Sequence, residues 1–216
     1  TIRTGAGVSA NDTQAVNELY ARTSATTDQW ATLVRIAILF DISAIGSSSN
    51  ITSATTSQYQ GTAGATDNFS FSVVLGTSTP ASNTAIGSAD YTQFGERRFS
   101  APFDITNFGA SQYHNFPMNA AGLTYLGDRR TTIAKLAFRL DADMSTTTTP
   151  GPWASSTNGG WTGGADSITS ADTAGTDKDP RLTIVYASPS VPSRPLDEEM
   201  MQFLKGLFNL KIAWAI

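Results

Sequence analysis

Short runs of apolar and β-branched residues, separated by turn-forming clusters, occupy the chain up to about residue 187. The clearest runs are residues 32–40, 69–75, 132–140 and 181–186. In the last of them Leu182, Ile184 and Tyr186 alternate with Arg181, Thr183 and Val185, which is the period of a strand with one buried face. Weaker runs predict further strands at residues 15–22, 51–60, 97–105 and 113–118. The pattern predicts an all-β fold, an antiparallel sandwich of two sheets.

Two segments depart from this alternation. Residues 88–94 and 119–126 space their apolar residues as single helical turns do, which predicts two short connecting helices. Residues 143–179 are rich in Thr, Gly, Pro and Asp, and we predict one long loop there. We expect the buried core to include residues from the four clearest runs: Ile36, Ile38, Phe40, Val73, Leu75, Leu136, Phe138, Leu182 and Ile184.

The composition changes after residue 187. Residues 188–195 contain three prolines and predict a stiff, extended linker. Beyond it, apolar residues recur at helical spacing and then alternate as in a strand, with acidic residues in the first helical turn. The chain thus divides into a sandwich (1–187), a linker (188–195) and a C-terminal tail (196–216). The apolar positions of the tail are Leu196, Met200, Phe203, Leu204, Leu207, Phe208, Leu210, Ile212, Trp214 and Ile216.

This apolar tail predicts an assembly surface, because so many apolar side chains are costly to leave in water. We expect it to contact copies of the same chain or a larger capsid or surface scaffold. Packing against its own sandwich and lying on a membrane surface are the alternatives. The membrane alternative is the weaker, since the polar face of the helix carries Asp197, Glu198 and Glu199.

Charge and composition narrow the function classes. The 216 residues carry a formal charge of -4, so no basic surface for nucleic acid is expected. There is no cysteine, which excludes disulfides and thiolate metal sites, and no apolar stretch is long enough to span a bilayer. The single histidine, His114, lies in a predicted strand, where we expect it to be hydrogen-bonded on a sheet face and not catalytic. Asp141 and Asp143 follow a strand and suit turn capping better than glycoside hydrolysis.

Several motifs, in their order along the chain, resemble the DNRLRE-domain family. They are residues 1–7 (TIRTGAG), 35–45 (RIAILFDISAI), 51–54 (ITSA), 113–122 (YHNFPMNAAG), 136–139 (LAFR) and 171–186 (ADTAGTDKDPRLTIVY). The resemblance covers about residues 1–187. It implies a jelly-roll sandwich of the kind found in secreted bacterial surface proteins, in carbohydrate-binding modules and in phage structural proteins. The sequence departs from the family at residues 55–57, where relatives tend to carry leucines, and in the tail.

Two candidate binding sites lie in the long predicted loop. Asp166, Asp172, Asp177 and Asp179 supply the oxygen ligands that a structural calcium ion prefers, without EF-hand spacing. Asx-turns and solvation are the alternative reading of these residues. Trp153 and Trp161 flank Gly159 and Gly160, as exposed indoles do where they stack on sugar rings. Packing of both indoles onto the sandwich is the alternative.

Taken together, the sequence predicts a non-enzymatic structural protein of an extracellular or virion surface. Its sandwich faces outward, as in a decoration protein, and its tail holds it in an assembly. The alternative is a carbohydrate-binding or adhesion module that presents residues 143–179 to a polysaccharide. No catalytic residues and no obligatory cofactor are predicted, with a structural calcium ion as the one addition.

Overall fold

The protein is an all-β sandwich, as predicted. The computed structural model describes residues 5–24, 30–62, 65–66, 72–144, 162–171 and 174–188. In these ranges two antiparallel sheets pack against each other. The strands are β1 (Val16–Thr23), β2 (Trp30–Leu33), β3 (Ile36–Asp41), β4 (Asn50–Gln60), β5 (Ala65–Thr66), β6 (Ser72–Ser78), β7 (Phe94–Arg98), β8 (Phe103–Asp104), β9 (Gln112–Pro117), β10 (Ile133–Leu140), β11 (Thr162–Thr169) and β12 (Arg181–Ala187).

The first sheet contains β12, β4, β11, β1 and β2 in hydrogen-bonded sequence, with β5 paired to β11 and β9 paired to β4. The second sheet has the order β3, β10, β6 and β7, with β8 paired to β6. Two α-helices, α1 (Ala120–Asp128) and α2 (Asp141–Met144), and three short 3-10 helices (Ser43–Ile45, Ser88–Gln93 and Ile105–Asn107) complete the described elements. The two predicted connecting helices are confirmed by Ser88–Gln93 and α1.

The core lies between the sheets. Val73, Leu75, Leu136 and Phe138 are fully buried there, as predicted from the strand alternation. The other predicted core residues are partly buried and pack against this cluster: Ile36, Ile38, Phe40, Leu182 and Ile184. The second sheet is also covered on its outer side, where Val74, Ala137 and Arg139 are buried. The sandwich therefore has an additional layer outside the second sheet.

Two predicted strands are wrong as continuous elements. Residues 32–40 form the end of β2 and most of β3, which belong to different sheets. The break falls at Val34 and Arg35, where the Val34 amide bonds to the Tyr20 carbonyl and the Arg35 side chain enters a buried ion pair. Residues 97–105 likewise divide between β7 and β8. Residues 99–102 belong to neither β7 nor β8. Pro102 has no backbone amide that could donate a hydrogen bond to a neighbouring strand.

The prediction of one long loop over residues 143–179 is also wrong in part. Asp143 lies in α2, and residues 162–169 form β11, which is central in the first sheet because it pairs with β1, β4 and β5. Its sequence, TGGADSIT, carries little apolar alternation. The strand is held by backbone hydrogen bonds to its neighbours, and the local sequence does not predict these bonds.

Candidate functional site

Several of the predicted site residues lie outside the described residues. These are Trp153, Trp161, Asp172 and the whole assembly tail, residues 196–216. Asp166 belongs to β11. Asp177 and Asp179 are described, together with the segment that carries them. The predictions for the indoles and for the tail therefore stay predictions.

The chain makes an excursion between β11 and β12, two strands that share one edge of β4, and residues 170, 171 and 174–180 of this excursion are described. Gln60 of β4 pairs with Gln112 of β9 and with Ile168 of β11, so β9 and β11 lie on opposite edges of β4. Ser57 pairs with both Asn115 of β9 and Arg181 of β12, so β12 also lies opposite β9. Strands β11 and β12 therefore follow one another along the same edge, and the chain leaves that edge between them.

A tyrosine of the neighbouring strand β9 holds the excursion. The Tyr113 hydroxyl lies 2.7 Å from the backbone oxygen of Asp177 and 2.9 Å from that of Asp179. Tyr113 pairs across the strands with Tyr59, and the two rings meet edge to face at a centroid distance of 5.3 Å. Burial raises the pKa of Tyr113, the charge and hydrogen bonding of Arg181 lower it by a smaller amount, and the charges of Asp179 and Asp177 raise it further. The hydroxyl therefore stays protonated as the donor to these carbonyls.

Two cations complete this tyrosine cluster, which we define as Tyr59, Tyr113, Lys178 and Arg181. The Arg181 guanidinium lies 4.1 Å from the centre of the Tyr113 ring, and the Lys178 ammonium lies 5.2 Å from the centre of the Tyr59 ring. Arg181 also donates to the Asp177 carbonyl at 3.0 Å. Because cations already lie against both rings, the cluster fastens the excursion to the sheet and does not offer a bare aromatic platform.

The same contacts bear on the predicted calcium site. Backbone carbonyls of Asp177 and Asp179, which would suit a hard cation, already accept hydrogen bonds from Tyr113 and Arg181. The Asp179 Oδ1 atom is buried and has no hydrogen-bond partner in the described ranges. Within those ranges no three His, Cys, Asp or Glu side chains gather as a metal site. A structural calcium ion involving Asp166 and Asp172 as well stays a prediction.

The turn-capping interpretation of Asp141 and Asp143 is wrong for Asp143. This carboxylate is buried and accepts three hydrogen bonds from two guanidinium groups. Arg35 binds it in a bidentate arrangement, in which Nε donates to Oδ2 at 2.7 Å and Nη2 donates to Oδ1 at 2.8 Å. Arg139 donates from Nε to Oδ2 at 2.8 Å. Asp141 starts α2 and pairs with Arg98 at 2.6 Å in a partly exposed ion pair.

The remaining donors of the two arginines bond to backbone carbonyls. Arg139 reaches the carbonyls of Gly95 and Asp143, and Arg35 reaches that of Tyr91 while its guanidinium lies 4.1 Å from the Tyr91 ring centre. This buried ion cluster, Arg35–Asp143–Arg139, joins the residue before β3 to β10, β7 and α2. It fixes α2, the last described element before residue 145. The sequence signal that could have indicated it is a charged residue inside an apolar run, Arg139 in LAFRL of β10 and Arg35 in residues 32–40.

His114 has the structural environment predicted for it. The residue is buried, its Nε2 lies 3.0 Å from the Gly109 carbonyl, and its ring stacks against Phe108 at 4.6 Å. On the neighbouring strand its cross-strand partner is Gln58. Hydrogen bonding and stacking of this kind position the ring as part of the core.

The last described strand, β12, has an unpaired edge in the described part of the chain and exposed apolar residues near its end. β12 pairs with β4 and with no other described strand. Two adjacent large apolar residues near its end are exposed, Val185 by 55% and Tyr186 by 43%. Because they are consecutive residues of a strand, their side chains lie on opposite faces of the sheet, and a β-bulge at Thr52 of β4 separates their cross-strand partners, Ser53 and Ile51. The chain continues from this edge toward the predicted linker and tail.

Comparison with family models, with curated proteins and with solved structures finds no match for this chain. Among the helices of the described ranges, none is long and apolar enough to cross a membrane.

Proposed function

We infer that this chain is a non-enzymatic structural protein of an extracellular or virion surface. Its sandwich faces outward, and residues 196–216 attach it to copies of itself or to a larger scaffold. The observation that carries the proposal is the exposed edge of β12, because its apolar residues Val185 and Tyr186 lie where the chain runs on toward an equally apolar tail. Apolar surface that persists at such a junction is typical of a contact with another chain.

The chemistry of the described ionisable groups supports the non-enzymatic part. Asp143 is enclosed by two arginines, His114 bonds to a carbonyl, and Tyr113 fastens a backbone excursion. Each of these groups is engaged in packing, whereas catalytic groups face a cleft where substrate can reach them. The order of motifs shared with the DNRLRE-domain family supports a surface role.

Deletion of residues 196–216 tests the assembly. We expect the full chain to form an oligomer in light scattering, and the shortened chain to be a folded monomer with the circular dichroism of a β-protein. Burial of the ten apolar tail side chains, at about 1.5–3 kcal/mol for each of the larger ones, exceeds the several kcal/mol that association costs. A shortened chain that keeps the same oligomer, or that unfolds, contradicts the proposal.

Point variants in the full chain supply a matched control. Phe203→Ala and Leu207→Ala remove apolar side chains from the predicted buried face of the tail helix, and we expect them to weaken assembly. Gln202→Ala and Lys205→Ala shorten side chains on the opposite face by a similar extent, and we expect them to leave assembly unchanged. Equal effects on both faces would indicate that the tail helix has no single contact face.

A second candidate function is recognition of a polysaccharide by residues 145–161. The observation that favours it is the rigid support of that segment, which follows α2, held by the buried ion cluster, and leads into β11, paired with three strands. Binding loops are commonly carried by rigid scaffolds of this kind. Trp153 and Trp161 would supply stacking surfaces.

A glycan array separates the two candidates. A polysaccharide-binding module gives saturable binding that Trp153→Ala or Trp161→Ala abolishes, while Trp153→Phe and Trp161→Phe retain part of it because a ring remains. A structural protein gives no saturable binding. Binding that survives both alanine substitutions would place the sugar elsewhere on the molecule.

A further inference from the structure

We propose that the free edge of β12 is the docking strand for residues 210–216 of a second copy of this chain. The inference rests on the proposed assembly function and names the surface that the tail would occupy. In this arrangement the incoming segment pairs with β12 through backbone hydrogen bonds and extends the first sheet by one strand.

β12 differs from the other strands that pair on one edge only in the described part of the chain. β2 has four residues, β5 and β8 have two each, and β9 ends in Pro117. β7 carries three charged residues in its five positions, and β3 is partly buried through Phe40. Short length, proline, charge and burial are the usual protections of a sheet edge. β12 has seven residues, a single charge at its first position and no proline.

The core is only partly covered at the inner face of β12. Leu182 and Ile184 pack against the core cluster but remain partly exposed, and Tyr186, the next residue on that face, is 43% exposed. The outer face of the same strand carries Arg181, Thr183 and Val185, all exposed. An added strand that completes this edge needs an apolar row on its inner face and small or polar residues on its outer face.

Residues 210–216 have this pattern. The sequence LKIAWAI places Leu210, Ile212, Trp214 and Ile216 on one face of a strand, and Lys211, Ala213 and Ala215 on the other. Its seven residues equal the length of β12. The apolar row of the tail would extend the row formed by Leu182, Ile184 and Tyr186.

The connection between β12 and the tail favours a second copy as the donor. Eight linker residues with three prolines span about 25 Å when extended, and the predicted helix of residues 196–208 adds about 20 Å. A stiff linker carries the tail away from its own edge. Two chains can then exchange tails reciprocally, which is the symmetry of a two-fold dimer.

Disulfide trapping tests the contact directly, because the chain contains no cysteine. One full-length partner carries Thr183→Cys or Val185→Cys on the outer face of β12. The other, with a mass tag, carries Lys211→Cys, Ala213→Cys or Ala215→Cys, which covers the alternative registers. Val8→Cys, at a fully exposed valine outside the strands, is the control for random collision. We expect mixed disulfides between β12 and the tail to form at least ten times more than with the control.

Two other outcomes overturn the proposal. Mixed disulfides no more frequent than those of the control exclude the β12 edge, and a double-cysteine variant that closes only within one chain shows that the tail covers its own edge. Light scattering of the unmodified protein separates these failures from failure of the assembly function. An oligomer without β12 disulfides rejects the docking strand alone, while a monomer rejects both. As a second measurement, Tyr186→Lys, which places a charge in the apolar row of the inner face, should weaken assembly at least tenfold, and Val8→Lys should not.

Discussion

At the scale of single residues, the buried ion cluster is the feature whose disruption should cost the sandwich most stability. Arg35, Arg139 and Asp143 have side chains that are 1–3% exposed, in a protein with few charges. Such a cluster gives little net stability when complete, but it is costly to leave incomplete. Here the arginines also donate to the backbone carbonyls of Tyr91, Phe94, Gly95 and Asp143, so the cluster also ties the backbone of these segments together.

Asp143→Asn should lower the free energy of unfolding by about 3–5 kcal/mol, measured by urea denaturation. The amide removes the negative charge between two buried guanidinium groups and turns an NH₂ group toward their donors. Asp141→Asn is the matched control, because its ion pair with Arg98 is partly exposed and should cost about 0–1 kcal/mol. Similar losses for the two variants would mean that burial does not set the importance of Asp143.

The same carboxylate gives the fold a dependence on pH. Burial by itself raises the pKa of Asp143, but hydrogen bonds and charge from Arg35 and Arg139 outweigh it and hold the pKa below its usual value. An unfolded aspartate titrates near pH 4, so this contribution is complete above about pH 4 and is lost as the pH falls through the lower, folded value. We expect the free energy of unfolding of the native protein to fall in that range more steeply than that of Asp143→Asn. Parallel pH profiles would contradict this assignment.

Thr56 presents the opposite case, a buried polar group without a partner. It faces the core from β4, and its hydroxyl has no hydrogen-bond partner in the described ranges. Thr56→Val keeps the shape of the side chain and removes this unpaired group, so we expect a gain of about 1 kcal/mol in urea denaturation. Thr55→Val, on the outer face of the same strand, should change stability by about 0.5 kcal/mol or less. A loss for Thr56→Val would show that the hydroxyl is satisfied in solution.

At the scale of elements, the distinctive feature is the excursion of the chain from the edge of β4 between β11 and β12. Strands β11 and β12 would form one long strand if the chain did not leave the sheet between them. The tyrosine cluster brings the excursion back over the outer face. Its attachment depends on one hydroxyl group more than on the packing of a large apolar surface.

Tyr113→Phe should therefore loosen the excursion and leave the sheets intact. Loss of one hydrogen-bonding group costs about 1 kcal/mol, so we expect amide hydrogen exchange at residues 174–180 to accelerate about fivefold. Tyr59→Phe is the control, because Tyr59 packs against the same ring but its hydroxyl holds neither carbonyl. Acceleration that spreads to β4 or β9 would mean that Tyr113 stabilises the whole sheet.

At the scale of the whole molecule, the proposed assembly links stability to concentration. Association with a second copy stabilises the folded state by mass action. We expect the melting temperature of the full chain to rise by a few degrees over a hundredfold increase in protein concentration, and that of the chain ending at residue 195 to stay constant. Scanning calorimetry at both concentrations measures the difference. A concentration-independent full chain would contradict tail-mediated association.

The alternation of residues within each run was sufficient to predict the sandwich and most of its strands. β1, β4, β9, β10 and β12 begin and end within about two residues of their predicted bounds, because side-chain period and turn residues are local properties. The two short helices were predictable for the same reason. Asn119 caps α1 by accepting from the Gly122 amide, and such a cap can be read from sequence.

Tertiary structure decided what depends on partners distant in sequence. β11 has a glycine-rich sequence and becomes a strand because β1, β4 and β5 supply its hydrogen bonds. The run at residues 32–40 divides because Arg35 reaches a carboxylate 108 residues away. Partners distant in sequence likewise make Asp143 a buried ion and bring the backbone carbonyls of Asp177 and Asp179 to the Tyr113 hydroxyl. A side chain's local sequence sets its chemistry, but the groups that surround it are fixed only when the sheets pack.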